Sequence, residues 1–194
     1  FAEVIMYAFH KNYKAISEMI KSGEVANFLV KPIDFVKYVI ATEASCLIPI
    51  VINLISGVII GICMAGPIEV SALQVVALFI HLIFSSIICI LLQAFIGILA
   101  IITEENESFY MVISKLMLIL CFTPLELFPS IVQKILKVLP TTYAIYPTAK
   151  TLIHFDIMQS TIFIIIQSIS ILFMYGMIRL VYMKGVKNIN VNGG

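Results

Sequence analysis

ALQVVALFIHLIFSSIICILLQAFIGILAII, residues 72–102, runs for 31 positions without an Asp, Glu, Lys or Arg. A helix rises about 1.5 Å per residue, so about 20 residues cross a hydrocarbon core of roughly 30 Å, and this stretch is long enough to cross with tilt to spare. A soluble domain of this size has no core that could hide it. Composition agrees: 61% of the 194 residues are hydrophobic and 12% charged, mean hydropathy is +1.10, and ordinary globular domains carry about 25% charge. Net charge is +1, which leaves no electrostatic footprint for a nucleic-acid partner. Cys46, Cys63, Cys89 and Cys121 sit in or beside apolar runs without CxxC spacing, and are expected to be free, buried thiols.

Working outward, three more apolar segments stand between charge, Pro or Gly clusters. Leu47 to Met64 carries Pro49, Asn53 and the small-xxx-small pair Gly57 and Gly61. Phe109 to Phe122 is short and contains Lys115, so it spans poorly unless Lys115 snorkels to an interface or the helix begins earlier. Thr161 to Ile178 closes on Arg179. The opening FAEVIMYAF is too short and, at Glu3, too charged for a signal peptide, and reads as the inner end of a span lying upstream.

The expected fold is therefore all-α, a polytopic integral membrane protein of about four transmembrane helices. Its expected divisions are an amphipathic cytoplasmic segment over 1–40, and three spans within 41–122 at about 44–64, 72–102 and 108–122. A Pro-rich extracellular helical segment over 123–159, a last span over 160–183 and a cytoplasmic tail over 184–194 complete it. With both ends inside, the inner segments hold Lys11, Lys14, Lys21, Lys31, Lys37, Lys115, Arg179, Lys184 and Lys187, and the outer ones only Lys134, Lys137 and Lys150. The excess supports this orientation.

Two segments lie outside the lipid. Phe9, Tyr13, Ile16 and Ile20 recur at helical spacing, with Lys11, Lys14, Glu18 and Lys21 away from them, and Ser22-Gly23 gives a helix stop. Such a helix either rests on headgroups or docks a soluble partner. The other segment, Thr123 to Gln159, is punctuated by Pro124, Pro129, Pro140 and Pro147, yet repeats Ile131, Ile135, Leu136 and Leu139 at helical spacing. It predicts one or two short helices at the outer surface that dip into the membrane where protein covers them. Tyr143, Tyr146 and Phe155 suit an interfacial aromatic belt.

An intramembrane enzyme needs paired carboxylates, HExxH or a serine with a partnered base on its spans, and the sequence offers none. His81 and Gln93 stand twelve apart on the long run, too far for one site unless another helix completes it, and Gln167 is alone on the last span. Polar groups at membrane depth are candidates for a transport path, although interhelical hydrogen bonding explains them equally well. No phosphate-binding GxxxxGK[ST] loop occurs, so any use of ATP belongs to another chain.

Ile20-Lys21-Ser22-Gly23-Glu24 followed by Phe28-Leu29-Val30-Lys31-Pro32 resembles the element that precedes the third span in permease subunits of ABC type-2 exporters, in a bacterial six-span branch. Thr123-Pro124-Leu125-Glu126-Leu127-Phe128-Pro129, Val138-Leu139-Pro140 and Tyr146-Pro147 resemble that branch's Pro-rich outer segment, and Lys184-Gly185-Val186-Lys187 with Gly193-Gly194 its C-terminal end. The resemblance implies that Lys21, Ser22, Gly23, Glu24, Phe28, Leu29, Lys31 and Pro32 dock a partner ATPase, which binds ATP and Mg while this chain holds no cofactor. It implies a second permease subunit, a bacterial plasma-membrane location, and a translocation path to which Asn53, His81, Gln93, Glu126 and Gln167 contribute. Two N-terminal spans of that branch have no counterpart in this sequence. The alternative is a membrane sensor or assembly scaffold that binds a cytoplasmic partner without transport.

Overall fold

The computed structural model describes residues 12–25, 28, 33–45, 47–66, 70–103 and 106–192, the side chains of 12, 13, 49, 50, 53, 54, 57, 58, 61, 62, 65 and 187–192 excepted. The described residues form helices and turns, with no strand among them. In chain order the helices are α1 (Asn12–Lys21), α2 (Phe35–Ala44), α3 (Leu47–Ala65), α4 (Ala72–Leu99) and α5 (Glu107–Phe122). A 3-10 turn (Leu125–Leu127), α6 (Ser130–Leu136), α7 (Pro140–Tyr143), α8 (Tyr146–Ile153) and α9 (Ile157–Asn192) follow.

The long helices start where side chains take up orphan amides. Ser71 accepts the Gln74 amide at 3.2 Å and so caps α4, while Asp156 accepts those of Met158 and Gln159 at 3.3 and 3.2 Å ahead of α9. Among the described residues two helical stretches are long and apolar enough to cross a membrane: Ala72–Leu99, of 28 residues, and Ile157–Val186, of 30. They pack side by side as the centre of the molecule.

This pair is apolar on its uncovered face and keeps its buried polar side chains inside, among apolar ones. On α4 the uncovered face is Leu73, Val76, Phe79, Ile83 and Ile87, whereas His81, Ser85 and Gln93 are buried. On α9 Ile162, Ile165, Ile169, Leu172 and Phe173 are exposed, with Ser160, Gln167 and Ser170 inside. A helix of a soluble domain turns polar side chains to its uncovered face instead, and so large an uncovered apolar surface calls for lipid or protein around it. The helix α3 adds to it, presenting Ile48, Val51, Ile52, Ile55, Ile59, Ile60 and Met64 outward.

At one end of the α4–α9 pair sit α1 and α2; into the groove at the other end fold α7 and α8. Ile88, Leu91, Leu92 and Ile96 of α4 share the apolar core with Ile16 and Ile20 of α1, Phe35, Val36 and Val39 of α2, and Met174 and Ile178 of α9. Two glycines let backbones approach. A Cβ on Gly97 would stand 2.9 Å from Ile16 Cγ2, and one on Gly185 would overlap the Ile101 side chain. The described thiols match the expectation of burial only in part: Cys89 is buried, Cys121 on α5 is half-buried, and Cys63 on the uncovered face of α3 is exposed. Cys46 lies outside the described residues.

Candidate functional site

The amphipathic pattern of residues 12–21 has a specific outlet. Ile16 and Ile20 are buried against the last turns of α4, and Ser17 donates its hydroxyl to Asn106 Oδ1 at 3.2 Å. Asn106 in turn gives Nδ2 to the Ile96 carbonyl at 2.9 Å, one of the acceptors left open where α4 runs out. Lys14 reaches Glu107 across the surface at 3.4 Å. Ile16 and Ile20 of the apolar face are thus covered by protein, and Lys14, Glu18 and Lys21 are exposed.

Lys21, Ser22, Gly23 and Glu24 form the exposed turn that ends α1. Gly23 has φ +78°, the left-handed conformation that stops a helix, and its amide returns to the Ile20 carbonyl at 3.2 Å. Beyond it Val25 is buried, and Phe28 packs edge-on against Phe35 at 5.2 Å and tilted against Tyr38 at 4.8 Å. Leu29, Lys31 and Pro32 lie outside the described residues.

Asp34, which carries no family motif in the sequence, organises this end. Its Oδ1 accepts the amides of Val36 at 3.0 Å and Lys37 at 3.3 Å, and its Oδ2 accepts from Arg179 Nη2 of α9. Burial works to raise the Asp34 pKa, but the Arg179 contact and the two amides outweigh it and hold the carboxyl below its ordinary range. Arg179 Nε donates to the Tyr175 hydroxyl at 3.0 Å.

At the other end a polar network is sealed between helices. Gln167 of α9 donates Nε2 to the Tyr143 carbonyl at 2.9 Å and to Ser85 Oγ at 3.3 Å, and its Oε1 faces His81 Nδ1 at 2.8 Å. His81 Nε2 lies 2.9 Å from Ser160 Oγ, and Ser85 Oγ 3.3 Å from Thr148 Oγ1. A carbonyl can only accept, so Gln167 must present oxygen to His81. The imidazole therefore carries a hydrogen on Nδ1, while the Ser160 hydroxyl, able to donate or accept, satisfies Nε2. His81 and Gln167 are both fully buried, at 0% exposure.

The structure thus brings together His81 and Gln167, through a partner helix, and leaves the other path candidates apart. Gln93 is buried elsewhere on α4, its Oε1 without a hydrogen-bond partner among the described residues. The Asn53 side chain is outside those described. Glu126 is exposed and accepts from Tyr146 Oη and Lys150 Nζ, both at 2.8 Å; the Lys150 contact above all pulls its pKa down to about 2. Ser85, Thr148 and Ser160 are additions that the sequence reading does not include. Their signal is the spacing of His81 and Ser85 by four, and of Ser160 and Gln167 by seven, each one helical face.

Among the described residues no group of three or more His, Cys, Asp or Glu could hold a metal ion. What the arrangement offers is packing and polar fastening of helices. No curated protein and no solved structure matches the chain. The family model described as "ABC-2 family transporter protein" matches residues 1–193. With two helices long and apolar enough to cross a membrane among the described residues, and that match over nearly its whole length, the chain belongs to the ABC-2 transporter family and is a membrane component of a transporter.

Proposed function

We propose that this chain is the permease subunit of an ATP-driven exporter, forming the translocation path together with a second permease subunit and coupled to a separate ATPase. ATP and Mg are bound and hydrolysed in that partner; this chain moves. In this reading α3 and α5 cross the bilayer with α4 and α9, giving four spans in the bacterial plasma membrane. Residues 1–40 and 184–194 face the cytoplasm, and 123–159 caps the path outside.

One observation carries the docking part. Ile16 and Ile20, the described part of the apolar face of α1, are taken up by α4 and do not face headgroups, while its Lys14, Glu18 and Lys21 face and the turn at Ser22, Gly23 and Glu24 are exposed. An exposed polar knob fixed to the end of a spanning helix suits a protein partner. Force applied to it is delivered to α4 through Ile16, Ile20 and the Ser17–Asn106 contact, and from α2 to α9 through Asp34 and Arg179.

The test is reconstitution of the full-length protein in vesicles with its ATPase subunit. A permease gives vectorial export that requires ATP hydrolysis, and hydrolysis that responds to the transported compound. A complex that assembles but shows neither would make the chain a scaffold.

A further inference from the structure

Pro147 creates a vacancy that Gln167 fills. Tyr143 ends the short helix α7, and the residue four positions on, which would supply the next helical N–H, is a proline with none to give. The amides of Ala144 and Ile145 go instead to the carbonyls of Thr141 and Thr142, at 3.3 and 3.2 Å. The Tyr143 carbonyl faces the dry groove between α4 and α9, where an unmet acceptor is costly. It meets the Gln167 amide at 2.9 Å.

The segment so held is knit together internally. Thr142 Oγ1 donates to the Leu136 carbonyl at 2.6 Å and Tyr143 Oη to that of Lys137 at 2.8 Å, binding α7 to α6. Gln133 Nε2 donates to the Phe128 carbonyl at 2.8 Å, and Glu126 ties the 3-10 turn to Tyr146 and Lys150 of α8. Towards the spans the described polar contacts are few: Gln167 with Tyr143, Ser85 with Thr148, and Gln74 Nε2 with the Thr151 and Leu152 carbonyls at 3.0 and 3.2 Å.

We propose that Gln167, oriented by His81, is a positioning residue for transport: through the Tyr143 carbonyl it seats residues 124–153 as one body in the α4–α9 groove, and its release lets that body lift and opens the groove to water. The inference rests on reading 123–159 as the cap of the path. His81 sets the direction of the latch. Its Nδ1–H occupies Gln167 Oε1, so the amide nitrogen is left aimed at Tyr143 and Ser85. Water can replace each of these hydrogen bonds once the cap lifts, which makes the contact reversible in a way that burial of the same area of apolar surface is not.

The test uses the full-length protein in vesicles with Cys46, Cys63, Cys89 and Cys121 replaced by alanine and one reporter thiol introduced at a time. Ala144→Cys puts the reporter beside the latch and Ala94→Cys puts it far along α4, both at fully buried positions. Gln167→Met keeps the side-chain volume and removes the donors. The expected result is an increase of about tenfold in labelling of the Ala144→Cys reporter by a charged maleimide, with the Ala94→Cys reporter still protected, as for a local opening. Ser85→Ala, which leaves the Tyr143 bond, should change labelling less than about twofold by the same reasoning. Unchanged labelling beside the latch, or an equal rise at both reporters, overturns the proposal. Labelling needs neither nucleotide nor ATPase, so the latch can fail while the transporter reading stands, and the reverse.

Discussion

Asp34 and Arg179, 145 positions apart in the chain, share one carboxylate between two tasks. One oxygen caps α2 and the other holds the α9 guanidinium, so the start of the helix after the Ser22–Glu24 turn is fixed directly to α9.

The two tasks separate by substitution. Asp34→Ala loses cap and ion pair and is expected to cost roughly 1–2 kcal/mol, the sum of a typical N-cap and a partly exposed pair. Asp34→Asn keeps a capping oxygen and should cost about 1 kcal/mol or less. Thermal unfolding of the purified full-length protein checks the order. Equal losses would show that the cap contributes nothing.

The Glu126 clasp has a predictable pH window. Its carboxyl is lowered from 4.5 to about 2 in the folded protein, chiefly by Lys150. A depressed pKa contributes stability that is present above the unfolded value and is lost as pH falls towards the folded one. Wild type should therefore exceed Glu126→Gln in thermal stability at about pH 6, and the difference should shrink between pH 4.5 and about 2. At the alkaline end, burial and the Glu126 carboxylate push Tyr146 up to about 12, so its contribution persists below the ordinary tyrosine value and fades as pH climbs to about 12. A constant difference from about pH 6 down to about 2 would contradict the ion pair.

Gly97 and Gly23 are needed for different reasons. Gly97→Ala forces a Cβ to 2.9 Å from Ile16 Cγ2 and 3.0 Å from its Cβ, and Ile is stiff at χ1. Overpacking of this kind costs about 1–3 kcal/mol. In an Ile16→Ala background the added cost of Gly97→Ala should fall but not vanish, because Cγ2 and Cδ1 are gone while the Cβ at 3.0 Å remains. Gly23→Ala meets nothing within 4 Å and is penalised only by its φ of +78°, roughly 1–2 kcal/mol, with no rescue from Ile16→Ala. Additive losses for Gly97 and Ile16 would refute the contact.

Much of this architecture is legible in the sequence where a physical signal is local. The 31 charge-free residues after Ser71 and the run ending at Arg179 form the central pair, because length and apolarity alone decide whether a helix can cross lipid. The period of Ile16 and Ile20 gives the α1 face correctly, but not what covers it, since the end of α4 enters only through tertiary packing. His81 and Gln93 stand too far apart to share a site; Gln167, 86 positions after His81, supplies the partner for one and not the other. Ser85 and Ser160 resemble packing residues until both helices are seen together. Asp34 is not singled out by the sequence, and nothing near it announces Arg179.

The docking turn is the claim on which the coupling account stands. A photo-crosslinking amino acid at Glu24 of the full-length protein, irradiated in native membranes, should join this chain to an ATPase subunit, and the product should disappear when the probe is moved to the buried Val25. Crosslinks to phospholipid alone, or a Glu24 probe reached only from the cell exterior, would contradict it.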